Sequence, residues 1–361
     1  MAYVPDLLFI EMTRACEYSC AHCRADSIAL PEDGEIELNE MERAIDEVMT
    51  VNEKCVVILT GGDPLLSPSF PFLVKYLNSR RIRFSVSPPA SPILNFEYLD
   101  YLKESGVNSI SMSIDGSPST HDAIRMKKGS FKDTLDIIGM ARDIGISVQV
   151  NSTVMKKNIN DFPVILKTLN EIGVRVWEVF FLINVGRGIS EKSISRDEFE
   201  DFLKFLYGVE ANFNINIRTV EAPEYRRIKA SLTAEERISG GRCFNDLSAG
   251  ARELTGIDIT RKMKEPGNGR RMKTLFISSR GEVMVSGLFP LSLGNIKEKS
   301  VRDILNNEAL VEISDSRKFS GKCSICEYFE LCGGSRARAY AETGDYLESD
   351  PLCTYVPIVG R

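Results

Sequence analysis

Short β-rich runs alternate with segments of helical periodicity from residue 7 to about residue 220. The strand candidates are residues 7–13, 55–61, 83–88, 109–115, 147–154 and 176–185. The segments between them place apolar residues at helical spacing. Repeated βα units predict a parallel sheet with right-handed crossovers, whose ligands bind at the carboxyl ends of the strands. Because six units are too few to close an eight-stranded barrel, we expect an α/β fold with an open, partial, TIM-like (β/α)6 barrel.

The rest of the chain divides into an edge strand, a linking segment and a cysteine-rich end. Residues 215–225 are a further strand candidate, and residues 226–272 are charged and rich in Gly and Arg, which indicates a partly helical, mobile connection. Two β-runs around "SSRGE" within residues 274–287 predict a hairpin. We therefore expect a barrel domain at 1–225, a connecting segment at 226–272 and a small C-terminal cysteine-rich domain at 273–361.

Composition excludes some classes of function. With 43% hydrophobic and 27% charged residues in 361, the chain has enough apolar mass for one large domain and a smaller one. Its formal net charge of −6 argues against a nucleic-acid partner. No apolar run approaches the ~20 residues that cross a bilayer. The opening "MAYVPDLLFIEMTRAC" lacks the basic region and cleavage site of a signal peptide, so we expect a cytoplasmic protein without a membrane partner.

The nine cysteines are unevenly distributed. An odd number in a reducing compartment favours metal ligation over disulfides. Three of them, Cys16, Cys20 and Cys23, crowd into "TRACEYSCAHCRA" just after the first strand candidate. This is not a zinc-finger spacing, and three thiolates leave one corner of a metal centre open. Cysteine is the usual iron–sulfur ligand, so the loop predicts a cluster with one iron free for a ligand, although alone it could be a redox loop or a chance grouping.

A glycine motif follows the second strand candidate. In "LTGGDPLLSP", residues 59–68, the pair Gly61 and Gly62 allows a backbone to approach a ligand closely. Asp63 supplies a carboxylate, and the ring of Pro64 fixes the turn. The motif and the cysteine loop would meet at the same edge of a parallel sheet.

The cysteine spacing and the glycine motif together resemble the radical S-adenosylmethionine (SAM) superfamily. The resemblance implies that Cys16, Cys20 and Cys23 hold a [4Fe–4S] cluster whose fourth iron is chelated by SAM. One electron then cleaves SAM and produces a 5′-deoxyadenosyl radical. The family's Gly-Gly-Glu-Pro motif has Asp63 here in place of Glu, with its carboxylate facing the SAM ammonium. By resemblance the further SAM contacts are His22, Ser113, Asp115, Asn151, Ser152 and Val185. Polar residues at strand ends are also frequent as helix caps or turn formers, which is the alternative for each.

The second group of cysteines lies near the C-terminus, with the spacing Cys323-x2-Cys326-x5-Cys332 followed by Cys353. Zinc is one candidate for four thiolates. The stretch also resembles the SPASM and twitch extensions of radical SAM enzymes, which carry auxiliary clusters. A full SPASM domain has seven cysteines, but this chain has Ser286 at the hairpin position and Arg336 at a late one. We therefore predict one auxiliary [4Fe–4S] cluster on these four cysteines. Cys55 and Cys243 are expected to be structural, and an extra cluster ligand is the alternative for Cys243.

Residues 281–296 and 321–357 resemble a narrower group, the radical SAM enzymes that modify the tetrapyrrole periphery in heme d1 and alternative heme b biosynthesis. Tetrapyrrole precursors carry several carboxylates, which arginines bind well. The candidates are Arg14, Arg24, Arg125, Arg187, Arg270, Arg271, Arg336 and Arg338. Arg125 follows the fourth strand candidate and is predicted to act in the pocket. The alternative is that most of these side chains are paired or solvated on the surface.

Three functions remain open at this point. The first is radical modification of a tetrapyrrole side chain, such as oxidative decarboxylation. The second is maturation of a ribosomal peptide by a SPASM enzyme, whose usual winged-helix peptide-binding module does not fit in the fifteen residues before Cys16. The third is an iron–sulfur electron carrier, which the open three-cysteine loop disfavours. A ferredoxin or flavodoxin is the expected reductant of either enzyme.

Overall fold

One ten-stranded sheet organises the protein in the computed structural model, which describes residues 3–233, 235, 237–267 and 272–358. The strand order is β10-β9-β8-β1-β2-β3-β4-β5-β6-β7. The strands are β1 (Leu7–Glu11), β2 (Val56–Thr60), β3 (Phe84–Val86), β4 (Ser109–Ser113), β5 (Ser147–Val154), β6 (Val176–Phe181), β7 (Asn216–Val220), β8 (Thr274–Ile277), β9 (Glu282–Met284) and β10 (Gly294–Asn295).

Eight of these strands run parallel, from β8 through β1 to β7. The six predicted strands are confirmed and lie side by side in chain order, and the strand candidate at 215–225 is confirmed as β7 at one edge. The predicted hairpin is confirmed by the antiparallel pair β8 and β9. The sequence did not indicate that β8 pairs in parallel with β1, with Leu7 opposite Thr274, so that the hairpin extends the barrel sheet.

Twelve α-helices occur in the described residues. They are α1 (Leu38–Val51), α2 (Phe70–Ser79), α3 (Phe96–Glu104), α4 (Pro118–Arg125), α5 (Ser130–Ile144), α6 (Phe162–Glu171), α7 (Arg196–Asn212), α8 (Glu224–Leu232), α9 (Arg242–Thr255), α10 (Val301–Ile304), α11 (Glu308–Glu312) and α12 (Arg336–Thr343). Local chemistry fixes their ends: Ser195 and Glu198 form a capping box at the start of α7, and α5 stops at Gly145 in the left-handed region, with φ of 81°. Helices α8 and α9 fall largely within the predicted connecting segment.

The strands alternate between a buried outer face and a barrel-facing side. Leu8 and Ile10 on β1, and Trp177 on β6, are fully buried in the main apolar core. Trp177 stacks on Phe162 of α6 with ring centroids 5.6 Å apart, which joins strand to helix. Burying side chains of this size stabilises the fold by about 1.5–3 kcal/mol each. The intervening residues face the barrel interior, where the polar groups described next are found.

The C-terminal part, beyond β10, has little regular structure apart from three short helices. Its four cysteines lie in loops and one-turn helices, and Cys323 and Cys332 are buried. Cys55 is buried in the main core, and Cys243 packs partly buried against it. Among the described residues, no helix has the length and apolar character that a membrane span requires.

Candidate active site

A cavity of about 250 Å³ opens at the carboxyl ends of the parallel strands. The cysteine loop after β1 lines one side, and the ends of β2, β4, β5 and β6 line the other. The structure brings ten of the predicted site residues to this cavity, namely Cys16, Cys20, His22, Cys23, Gly61, Gly62, Ser113, Arg125, Asn151 and Val185. Their convergence follows from the fold, because parallel strands end at the same edge.

Main-chain hydrogen bonds shape the cysteine loop. The amide of Cys16 donates to the Ile28 carbonyl at 2.8 Å, and the amide of Cys23 donates to the Cys20 carbonyl at 3.2 Å. The Tyr18 amide points at the Cys16 sulfur, 3.3 Å away. Burial raises the pKa of the Cys16 thiol to about 12 and also raises that of Cys20. The three sulfurs thus belong to one preformed loop with free space beside them, which fits a cluster that keeps one iron open.

The two glycines of the motif hold this loop in place. A Cβ at Gly61 would lie 2.4 Å from the Thr13 carbonyl oxygen, and one at Gly62 would lie 2.3 Å from that of Ala15. The amide of Gly62 donates to Thr13 at 2.8 Å. The sequence predicts that the two glycines allow a ligand to approach closely. In the structure they allow the backbone of the cysteine loop to pack against the end of β2.

Asp63 and Pro64 lie just behind the cavity and do not line it. The Asp63 amide donates to Ala15 at 2.7 Å, and its Oδ1 accepts from the Leu65 amide at 3.0 Å. Burial raises the pKa of Asp63 to about 6. Its Oδ2 is buried without a hydrogen-bond partner among the described residues, and Pro64 begins the single helical turn that follows.

Arg125 joins the end of β4 to the cysteine loop. Its Nη2 lies 2.6 Å from Asp115 Oδ2, and its Nη1 lies 3.7 Å from the Cys20 sulfur. Asp115 is fully buried and does not line the cavity, and the pKa of its carboxyl is lowered by Arg125 against the effect of burial. His22 Nε2 is 3.9 Å from the same carboxylate, and burial lowers the pKa of this histidine to about 4. Arg125 thus has two of its donors directed to the protein.

The end of β5 corrects one assignment. Asn151 lines the cavity, and so does Thr153, but Ser152 between them does not. Successive side chains of a strand point to opposite faces. Ser152 is buried on the outer face, where its hydroxyl donates to the Ile114 carbonyl and accepts from the Trp177 indole at 2.9 Å. The same alternation brings Ser111 to the cavity beside Ser113, a pairing that the period of two in the sequence could have identified.

The arginine candidates differ in whether they reach the cavity. Only Arg24 and Arg125 line the cavity among the candidates that the structure describes. Arg14 and Arg187 donate to carbonyls of the cysteine loop, at Ala25 and Cys20, respectively. Arg336 and Arg338 are buried in the C-terminal part. Arg270 and Arg271 lie outside the described residues.

The C-terminal cysteines line a second, smaller cavity, of about 20 Å³. Cys323, Cys326, Cys332 and Cys353 all face it, and two residues of α8 that the sequence did not indicate join them. Glu224 is fully buried, and neither carboxylate oxygen has a hydrogen-bond partner among the described residues. Arg227 pairs with Glu200 through two hydrogen bonds, of 3.1 and 2.5 Å. Four thiols around an orphaned polar group fit an auxiliary cluster held entirely by cysteines. No group of three or more His, Cys, Asp or Glu side chains is placed to chelate a single ion in the part of the chain described.

A hydrogen-bond network occupies the place where Ser286 replaces a cysteine of the larger SPASM pattern. Ser286 donates to Glu221 Oε1 at 3.4 Å, and Ser335 donates to Glu221 Oε2 at 2.5 Å. Arg338 bridges the Glu221 carbonyl and Asp350 Oδ2, at 2.5 and 2.7 Å. Burial raises the pKa of the Glu221 carboxyl. These contacts connect the hairpin, the end of β7 and α12 without a metal ligand.

Comparison with known families finds one match that includes the first cysteine group and another that includes Cys323 and Cys326. Residues 10–169 match the radical SAM superfamily, and residues 270–327 match the SPASM iron–sulfur cluster-binding domain. An AdoMet-dependent heme synthase of Methanosarcina barkeri is 34% identical over 359 residues, which cover 99% of this chain and 98% of that one. An Fe-coproporphyrin III synthase of the same organism is 25% identical over 95% of this chain and 86% of its own length.

A solved structure shares the fold. Streptococcus suis SuiB bound to S-adenosylmethionine superimposes with a TM-score of 0.70 over 98% of this chain and 78% of SuiB, at 15% identity. SuiB has also been solved with its precursor peptide, SuiA, at a TM-score of 0.68. The matched domains indicate SAM and two [4Fe–4S] clusters as cofactors. The protein is an enzyme of the radical SAM superfamily with a C-terminal SPASM iron–sulfur domain.

Proposed function

We propose that this enzyme oxidatively decarboxylates a propionate side chain of an iron-containing tetrapyrrole, leaving a vinyl group. One observation carries the proposal: the charged side chains that line the large cavity are Arg24 and Arg125, and no Asp or Glu lines it within the described residues. Each arginine is paired with a buried carboxylate, Glu11 or Asp115, so the wall offers guanidinium donors to a ligand that carries carboxylates. The kinship with a heme synthase and an Fe-coproporphyrin III synthase supports a tetrapyrrole as that ligand.

In this proposal the residues in and around the barrel cavity have separate roles. Cys16, Cys20 and Cys23 hold the catalytic cluster, and SAM bound there supplies, after one-electron reduction by a ferredoxin or flavodoxin, a radical that abstracts hydrogen. Ser113 and Asn151 bind polar groups of SAM, and His22 and Val185 pack near its adenine. Asp63 and Asp115 act from behind the wall: Asp63 fixes the turn at the glycine motif, and Asp115 orients Arg125.

The atom balance explains the need for a second redox centre. A propionate, –CH2–CH2–COO⁻, that gives a vinyl group loses one hydrogen atom from the carbon next to the ring, one CO2 and one electron. The hydrogen atom leaves in 5′-deoxyadenosine, and the electron requires an acceptor. Cys323, Cys326, Cys332 and Cys353 would hold an auxiliary cluster, which would supply a site for this electron. Four thiols leave it no open iron, which suits electron transfer better than substrate binding.

Anaerobic turnover tests the proposal. Reconstituted enzyme is mixed with SAM, a low-potential reductant and Fe-coproporphyrin III, and the products are resolved by mass spectrometry. The expected result is loss of CO2 and two hydrogens per modified side chain, with one 5′-deoxyadenosine formed for each. Formation of 5′-deoxyadenosine with every tested tetrapyrrole unchanged would overturn the proposal. Peptide substrates form the parallel arm, because SuiB shares the fold and binds a precursor peptide.

A further inference from the structure

We infer that Arg24 forms the carboxylate-binding subsite that anchors the substrate on the β1/β8 side of the large cavity. The inference rests on the proposed function and deepens it, because it names the group of the substrate that the site recognises. The ligand class is a small molecule with a free carboxylate on a flexible side chain, such as a tetrapyrrole propionate. Sequence alone gave eight arginine candidates and singled out only Arg125, whereas the contacts in the structure distinguish Arg24.

Arg24 is held in a fixed orientation from three sides. Its Nη2 lies 3.0 Å from Glu11 Oε1, at the end of β1. Its guanidinium lies over the ring of Phe276 on β8, 4.5 Å from the centroid. Gly287 closes the third side, since a Cβ there would come within 3.0 Å of Arg24 Cδ. A guanidinium that is already oriented loses less conformational entropy when it binds a carboxylate.

The donors of Arg24 are also available. The described residues give it the ion pair with Glu11 and the ring contact, but no hydrogen bond. Arg14 and Arg187, in contrast, use their donors on carbonyls of the cysteine loop, and Arg125 is committed to Asp115 and Cys20. Because a guanidinium presents five N–H donors, one ion pair through Nη2 leaves an edge that can bind a second carboxylate in a fork.

Glu11 gives the subsite a built-in counter-charge. It is buried, and its Oε2 accepts from the Ser279 amide at 3.0 Å, so it does not move freely. It offsets the charge of Arg24 when the cavity holds no substrate, and the side chain of Arg24 remains 23% exposed toward the cavity. A substrate carboxylate would complete a carboxylate–guanidinium–carboxylate row along the cavity wall.

The position of Arg24 leaves room for SAM. Most of the residues proposed to contact SAM lie at the ends of β2, β4, β5 and β6, with His22 on the cysteine loop, whereas Glu11 and Phe276 place the guanidinium of Arg24 at β1 and β8, beyond β2 in the strand order. A carboxylate on Arg24 would therefore hold the substrate at the β1 and β8 edge of the cavity, with its adjacent carbon atoms directed into the cavity. The subsite thus fixes which part of the substrate meets the radical.

Binding measured without turnover tests the subsite. Fe-coproporphyrin III is titrated into anaerobic, SAM-loaded, unreduced enzyme and followed by its Soret absorbance. Arg24→Gln should weaken binding by about 10- to 100-fold, the range for a lost charge-assisted hydrogen-bond pair, and Arg24→Lys by less. Arg80→Gln is the matched control and should bind like wild type, because Arg80 is an exposed arginine just after the end of α2 and does not line the cavity. The tetramethyl ester of the porphyrin should bind wild type and Arg24→Gln equally.

Further measurements distinguish a failure of the subsite from a loss of the clusters and from a failure of the proposed function. Iron content and substrate-free 5′-deoxyadenosine formation show whether a variant keeps its clusters. If the Arg24 variants lose iron, Gly287→Ala provides the test of the subsite. It preserves the charge of Arg24, but its new Cβ would lie 2.9 Å from the Phe276 ring and would displace that ring and the guanidinium. It should therefore weaken tetrapyrrole binding as well. Wild type that binds no tetrapyrrole overturns the proposed function and this inference with it. Wild type that binds, with unchanged affinity in iron-replete Arg24→Gln, overturns the subsite alone.

Discussion

The two cysteine sites differ in how many thiols they contain and in how much space lies beside them. The N-terminal site has three thiols on one loop beside a cavity of about 250 Å³, and the C-terminal site has four thiols from separate segments around about 20 Å³. Three thiols leave an iron free, and the larger cavity gives its ligand room. Four thiols are enough to give every iron of an auxiliary cluster a cysteine ligand. We therefore propose that the same ligand type serves chemistry at the N-terminal site and electron transfer at the C-terminal site.

Removing the open site should have the largest effect. The triple variant Cys16/Cys20/Cys23→Ala should lose 5′-deoxyadenosine formation entirely, because no other thiol lines the cavity in the part of the chain that the structure describes. Its iron content after reconstitution should fall from about eight to about four per chain, since the C-terminal thiols are untouched. Iron and sulfide analysis with chromatography of the nucleoside measures both. A variant that retains eight irons, or loses all of them, would contradict the independence of the two sites.

Removing the closed site should separate SAM cleavage from product formation. Cys326 is half-exposed at the rim of the small cavity, so Cys326→Ala disturbs the auxiliary cluster with little effect on the main core. We expect 5′-deoxyadenosine to form within about tenfold of the wild-type rate, equivalent to less than 1.4 kcal/mol in the barrier, while modified tetrapyrrole disappears. The ratio of product to 5′-deoxyadenosine is the measurement. An unchanged ratio would remove the electron-acceptor role of the auxiliary cluster.

The glycine motif allows a finer test of why the open site is rigid. A methyl group at Gly62 would meet the carbonyl oxygens of Ala15 and Arg14, at 2.3 and 2.6 Å, and main-chain atoms cannot move aside cheaply. Gly62→Ala should cost about 1–3 kcal/mol of stability and lower SAM cleavage by about 100-fold, the effect of a misplacement near 1 Å. Gly139→Ala is the control, because nothing lies within 4 Å of a Cβ at this helical position. It should be neutral or stabilising by up to about 1 kcal/mol. Thermal unfolding and 5′-deoxyadenosine rates compare the two, and equal effects would contradict the backbone-packing role.

Local patterns predicted the parallel strands well, because hydrophobic periodicity and glycine-terminated helices are properties of neighbouring residues. Two features depended on distant contacts. The pairing of β8 with β1 joins Leu7 to Thr274, and no local signal specifies a partner so far along the chain. Among the arginine candidates, Arg125 is predicted from its place after the fourth strand and does line the cavity, but Arg24 could not be distinguished, because its position depends on how the cysteine loop folds.

The glycine motif shows the same limit at a smaller scale. Sequence identified Gly61 and Gly62 as positions of close approach, but not what approaches them, and the structure places the Thr13–Ala15 backbone there. Similarly, Ser152 was assigned with Asn151 because both end the same strand. The structure shows that the two side chains point to opposite faces of β5. Asn151 lines the cavity, whereas Ser152 accepts a hydrogen bond from the buried Trp177 indole.

This last pair makes the smallest but most local prediction. Asn151→Ala should weaken SAM binding by about tenfold, the loss of one hydrogen bond to a charged ligand, with little change in stability. Ser152→Ala should leave SAM affinity unchanged and lower the free energy of unfolding by about 1–3 kcal/mol, because the buried Trp177 indole loses its acceptor. Equilibrium dialysis with SAM and thermal unfolding of the reconstituted variants measure the two effects. Equal losses of SAM affinity in both variants would mean that β5 presents both side chains to the ligand. That result would contradict the assignment of Asn151 to the cavity face and of Ser152 to the packing face of this strand.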